Sequence, residues 1–147
     1  MTVLVYIAPT SSNGAGAVWT KLFHAGNSGQ WAVDQLLSAR GKHSVVIPDI
    51  TAGDYLLRAE IIGLHEADVA YNQNSVRGAQ LYMSCVQIRV TSSGSQSLPG
   101  GTSFPGSYQY STPGIVWNIY DKYRDQTTYP IPGPSVWSGS SGGWIGA

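Results

Sequence analysis

The chain has 147 residues, enough for one domain with a buried core, and its eight basic and eight acidic residues leave a formal net charge of zero. Charged residues make up only 11% and are scattered, so no basic stripe points to nucleic acid and no acidic run to a solvating arm. No apolar run approaches the roughly 18 residues that a membrane span needs, which argues against a membrane partner.

Strand signals dominate the first two thirds of the chain. Val3 to Ala8 is an apolar run ended by Pro9 and a Ser-Ser-Asn-Gly turn, and Val18 to His24 reads as its partner strand. Trp31 to Ala39 predicts a short helix stopped by Arg40-Gly41, and His43 to Ile47 is a short β-branched strand ended by Pro48. Asp54 to Leu64 is the strongest strand, too apolar on both faces to lie at an edge. Gln80 to Thr91 alternates at its end, with Val86, Ile88 and Val90 predicted inward and Gln87 and Arg89 outward. Beyond Ser92 the chain becomes rich in Pro and Gly, with Ile115 to Tyr120 as a last predicted strand.

Short strands about ten residues apart, with turns between them, predict an all-β, antiparallel sandwich of the immunoglobulin or fibronectin kind with long loops. The segment after Ser92 keeps Phe104, Tyr108, Trp117, Tyr120 and Trp137, so it is expected to wrap over the sandwich rather than to act as a linker. Residues 1–137 are thus one domain, and the Gly/Ser-rich residues 138–147 a linker or frayed end. The polar surface rests on Ser, Thr, Gly, Asn and Gln, with five Trp, nine Tyr and two Phe. Hydroxyls, amides and aromatics suit a neutral, hydroxyl-rich partner such as carbohydrate.

The stretch with the most chemistry is His65-Glu66-Ala67-Asp68, followed by Gly78-Ala79-Gln80-Leu81-Tyr82-Met83-Ser84-Cys85. Gln80 and Tyr82 are two apart, so on a strand they share a face, and His65 closes the preceding strand at the same edge. A phenol, an imidazole and an amide at one strand end are groups that an oxygen-activating metal site uses. His24 and His43 stand at no ligand spacing to His65 and read as surface residues.

Gly53-Asp54-Tyr55-Leu56-Leu57-Arg58-Ala59-Glu60-Ile61-Ile62, then Leu64-His65, then Gly78-Ala79-Gln80-Leu81-Tyr82 with Cys85, resembles the core of the fungal lytic polysaccharide monooxygenases of auxiliary-activity family nine, formerly glycoside hydrolase family sixty-one. Phe104-Pro105-Gly106-Ser107-Tyr108, Thr112-Pro113-Gly114-Ile115, Asn118-Ile119-Tyr120 and Ile131-Pro132-Gly133-Pro134-Ser135-Val136-Trp137 continue the resemblance in order over nearly the whole chain. It implies copper-dependent oxidative cleavage of β-1,4-glucan such as cellulose, outside the cell, with an external electron donor. The copper of that family sits in a brace of two histidines, three nitrogens in the tetragonal arrangement Cu(II) favours.

On this resemblance Tyr82 is the axial copper residue, and His65 and Gln80 are the catalytic pair that positions oxygen. Tyr120, Arg77, Glu66 and Asp68 are the substrate contacts, and Arg58 and Glu60 have no catalytic role. Tyr120 and Tyr129 remain open to a second reading, as packing at the sandwich edge.

The resemblance also implies that both brace histidines precede the strand matched by Val3 to Ala8. The chain is therefore expected to be N-terminally truncated relative to the family, to lack the brace, and to be inactive by itself. No signal peptide is recognised at Met1-Thr2-Val3-Leu4-Val5-Tyr6, and Cys85, the single cysteine, is expected to lack its disulfide partner and to react only if the sandwich opens. The alternative function is a non-catalytic glucan-binding β-sandwich or a degenerate paralogue.

Overall fold

The computed structural model describes residues 1–146. The strands are β1 (Thr2–Pro9), β2 (Ala17–Ala25), β3 (His43–Val45), β4 (Gly53–Gly63), β5 (Gln80–Val90), β6 (Thr102–Ser103) and β7 (Gly143–Ile145), with one α-helix, α1 (Ala32–Ser38). A five-stranded sheet has the order β5-β4-β1-β2-β6, and a two-stranded sheet joins β3 to β7. All pairings between these strands are antiparallel.

β1 is the centre of the large sheet, and every residue from Thr2 to Ala8 is buried. A strand covered on both faces needs an unbroken apolar run, which Val3 to Ala8 supplies. Pro9 ends it, and the chain turns through Ser12, whose hydroxyl donates to the Pro9 carbonyl at 2.6 Å, and Asn13, held at φ 51°. α1 stops where Arg40 and Gly41 take positive φ, as the sequence predicts.

The two faces of β1 bury different cores. Leu4, Tyr6 and Ala8 pack with Trp19, Ile62, Leu64, Ala67, Ile115 and Tyr129 on one side, and Ile7 packs with Leu22, Ile50 and Tyr55 on the other. The segment after Ser92 does wrap the sandwich. Phe104, Tyr108, Trp117, Ile119 and Ile131 close the first core, and Trp137 lies against the second. Tyr6 meets Phe104 edge-on with ring centroids 4.9 Å apart, and Tyr129 is held between Trp31 at 5.2 Å and Trp117 at 5.3 Å.

Three expectations need correction. Ile115 to Tyr120 is not a strand: only a single bridge joins Pro113 to Val116, and Gly114 at φ 87° turns the chain there. Val86 does not point into a core. β5 is the edge of the sheet, and Val86 is 55% exposed although it alternates in step with Ile88 and Val90. The Gly/Ser-rich tail is not wholly a frayed end, because Gly143–Ile145 pair with His43–Val45 and the Ser140 hydroxyl donates to the Leu22 carbonyl at 2.6 Å. Ala147, the last residue of that tail, lies outside the described residues.

Candidate functional site

β4 and β5 run antiparallel in continuous register from Gly53 opposite Val90 to Gly63 opposite Gln80. That register sets Tyr82 opposite Ile61 and puts Gln80 and Tyr82 on one face, where the Tyr82 hydroxyl donates to Gln80 Oε1. His65 leaves the end of β4 beside them. Gly63 is the residue they converge on: a Cβ there would lie 3.1 Å from Tyr82 Cε2 and 3.4 Å from His65 Cε1. A larger residue at position 63 would push the phenol and the imidazole apart. Tyr82 is 54% exposed and His65 half-buried, so the group faces outward.

The loop between the two strands is pinned at both ends. Ala67 N–H donates to the Leu64 carbonyl at 3.1 Å, the Ala67 carbonyl accepts from Trp117 N–H at 2.7 Å, and Gly78 N–H donates to the Glu66 carbonyl at 2.7 Å. Within it Arg77 grips both acids: Nη1 pairs with Glu66, while Nη2 and Nε donate to Asp68 Oδ1, the latter at 3.0 Å. The hydrogen bond from Arg77 holds the Asp68 carboxyl below the usual carboxylate range. The same bond raises Arg77, with smaller electrostatic contributions from Glu66 and Tyr120. Tyr120 is 69% exposed.

Tyr129 resolves toward packing. It is buried, its hydroxyl donates to the Gly114 carbonyl at 3.0 Å, and burial raises its pKa. His24 and His43 are half-buried rather than on the surface. His24 Nδ1 lies 3.3 Å from Lys21 Nζ, and the His43 ring lies 5.0 Å from that of Phe23. Burial lowers both histidine pKa values, with Lys21 adding to the effect at His24. Cys85 is exposed, so its thiol is accessible in the folded chain, contrary to the expectation that it reacts only on opening.

Sequence reasoning missed a second polar group, inside the first core. Glu60 and Arg58, on the Tyr6 side of β4, are buried and paired at 3.3 Å. Tyr108 donates to Glu60 Oε2 at 3.2 Å, and its oxygen lies 2.9 Å from that of Tyr6. The Arg58 guanidinium lies 4.2 Å from the centre of the Phe104 ring, and the buried Lys21 donates to the Pro132 carbonyl at 2.8 Å. Burial raises Glu60 above the usual carboxylate range and lowers Lys21 to about 8, although Glu60 pulls Lys21 back upward. A signal was present in the sequence. Arg58 and Glu60 share the parity of Leu56 and Ile62, so a strand that buries those two must bury the charges as well.

Among the described residues no three His, Cys, Asp or Glu side chains group together to hold a metal ion. One imidazole, one amide and one phenol are not by themselves a copper ligand set.

The profile of Auxiliary Activity family 9 (formerly GH61) matches residues 2–129. The chain is 59% identical over 146 residues to an AA9 family lytic polysaccharide monooxygenase A of Armillaria gallica, covering 97% of this chain and 57% of the relative. It is 59% identical over 135 residues to one of Schizophyllum commune, covering 88% and 55%. Among solved structures it resembles CvAA9A with a TM-score of 0.84 at 36% identity, covering 95% of this chain and 64% of that one. The extended catalytic domain of H. jecorina LPMO9A gives 0.75 at 35%, covering 95% and 56%. The chain thus spans little more than half the length of these curated relatives, and its antiparallel sandwich is theirs: it belongs to Auxiliary Activity family 9.

Proposed function

We propose that the chain carries the outer part of a copper-dependent site for oxidative cleavage of β-1,4-glucan, acting on cellulose outside the cell with electrons from an external donor. His65 and Gln80 would be the catalytic residues beside the reacting centre, Tyr82 would offer its oxygen to the copper, and Tyr120, Arg77, Glu66 and Asp68 would meet the glucan. The observation that carries this reading is the convergence of His65, Tyr82 and Gln80 at Gly63, in a chain of this family. When bound, copper would supply the redox chemistry; among the described residues no three His, Cys, Asp or Glu side chains group together to hold it.

The residues' own contribution is geometric. The Tyr82–Gln80 bond fixes the amide with its oxygen toward the phenol, so its NH₂ is left to donate elsewhere. Arg77 holds Glu66 and Asp68 at fixed positions, where their remaining lone pairs accept from sugar hydroxyls, and the exposed Tyr120 ring offers a face for a pyranose. A non-catalytic glucan-binding sandwich is the second reading, and the exposed Tyr120 ring together with the Arg77 clamp on Glu66 and Asp68 favours it.

Paramagnetic resonance of the copper-treated chain, with product analysis on cellulose and a reductant, tests the proposal. The expected result is glucan adsorption without a three-nitrogen tetragonal copper signal and without oxidised oligosaccharides. A three-nitrogen signal that Tyr82→Phe perturbs would show that these residues hold the metal unaided and would overturn the assignment.

A further inference from the structure

Tyr120 sits in a turn, from Asn118 to Asp121, that does not hold itself. Its closing backbone bond, from Asp121 N–H to the Asn118 carbonyl, is long at 3.4 Å. Ile119 packs against the first core and fixes one point of the turn, and the Asn118 side chain accepts from Tyr120 N–H at 2.9 Å. The rest of the closure comes from Gln126, at the start of the 3-10 turn Gln126–Thr128. Its Nε2 donates to the Asn118 and Asp121 carbonyls, both at 3.1 Å, and so ties the first residue of the Tyr120 turn to the last. Its Oε1 accepts from the Trp117 indole N–H at 2.7 Å. The reversed amide would set donor against donor and acceptor against acceptor at all three contacts, so its orientation is fixed.

The clamp is itself seated. The Trp117 ring meets the buried Tyr129 edge-on at 5.3 Å and has the Arg124 guanidinium 4.4 Å from its centre. Trp117 N–H donates at 2.7 Å to the carbonyl of Ala67, in the segment that leaves β4 with His65. The path from Gln126 through Trp117 to Ala67 therefore ties the Tyr120 turn to the strand end that carries His65.

We infer that Gln126 is a positioning residue for glucan: it clamps the Asn118–Asp121 turn so that the Tyr120 ring meets a pyranose at a fixed place relative to His65. The inference rests on the reading of Tyr120 as a glucan contact. Both amide donors of Gln126 are engaged inside the chain, so its effect on binding passes through Tyr120. A ring on an unclamped turn has to be ordered at the moment of binding, which weakens the contact.

A double-mutant cycle between Gln126 and Tyr120, read by adsorption isotherms on cellulose, tests this. Gln126→Glu keeps the size and the acceptor for Trp117 but sets a carboxylate against two carbonyls; Gln126→Met removes the clamp without adding a charge. Either should weaken adsorption about threefold, the cost of ordering one side chain on binding, and neither should weaken it further once Tyr120 is replaced by Ala. Nitrogen relaxation should show the Tyr120 amide loosened in both variants while the β4 amides stay rigid. A loss of fold would weaken adsorption with or without the Tyr120 ring, so the cycle separates positioning from stability. Equal losses in both backgrounds, a Tyr120 amide as rigid as in the parent, or full adsorption by the Gln126 variants where Tyr120→Ala adsorbs poorly would each overturn the inference and leave the glucan contact standing. A parent that does not adsorb, or a Tyr120→Ala variant that adsorbs as the parent does, overturns the glucan contact and this inference with it.

Discussion

The molecule holds two clusters of the same chemical types, and they differ in almost every physical respect. Inside the first core, Arg58, Glu60, Tyr6, Tyr108 and Lys21 are buried or nearly so. Hydrogen bonds run from Arg58 to Glu60, from Tyr108 to Glu60 and between Tyr108 and Tyr6, Lys21 donates to the Pro132 carbonyl, and only Arg58 Nε among them is a buried atom left without a partner. In the loop after β4, Arg77, Glu66 and Asp68 form an equally well-paired group that water reaches. Breaking a buried pair strands a charge in a low dielectric, whereas an exposed pair is screened and adds little to stability. The inner cluster is therefore expected to govern folding and the outer one recognition.

The largest expected effect comes from the inner cluster. Glu60→Ala leaves the Arg58 guanidinium without its carboxylate and Tyr108 without its acceptor, and should cost about 3–5 kcal/mol, read as a fall in the urea midpoint at constant slope. An unchanged midpoint would mean that the pair is not buried in solution. The next effect is a pH dependence. Burial depresses Lys21 to about 8 in the folded chain, below its ordinary 10.5, so a charged Lys21 costs stability at neutral pH. Stability from this group should rise from pH 8 toward pH 10, by about 3 kcal/mol at the full shift, and Lys21→Met should remove the rise. Tyr6 and Tyr108 have raised pKa values and oppose the trend only above their ordinary value of 10. A smaller effect belongs to Tyr108→Phe, which leaves the Tyr6 hydroxyl without its partner and should cost about 1–3 kcal/mol.

Sequence legibility divides along the same line. The central strand β1 was readable because burial on both faces demands an unbroken apolar run, and α1 because Arg40-Gly41 ends it. The outer cluster was readable because Glu66, Asp68 and Arg77 lie within one loop. The convergence of His65 with Gln80 and Tyr82 followed from strand parity and the β4–β5 return. Strand parity marks Arg58 and Glu60 for burial, but the rest of the inner cluster was not legible, because it is assembled from β1, β2, β4 and the wrap around Tyr108, and no local pattern joins residues so far apart in the chain. Val86 was misplaced for a related reason: alternation gives a residue's face but not whether a neighbouring layer covers it. Ile115 to Tyr120 looks like a strand by composition, and the turn at Gly114 overrides that propensity.

Adsorption isotherms on cellulose, run on the parent chain, on Tyr108→Phe, and on Arg77→Ala with Tyr120→Ala, test most directly the claim that the inner cluster holds the fold and the outer one meets the substrate. The account predicts that the loop double variant keeps the parent melting temperature and loses about tenfold in affinity, roughly 1.4 kcal/mol. Tyr108→Phe should melt earlier and adsorb as the parent does. Undiminished adsorption by Arg77→Ala with Tyr120→Ala, at an unchanged melting temperature, would contradict it.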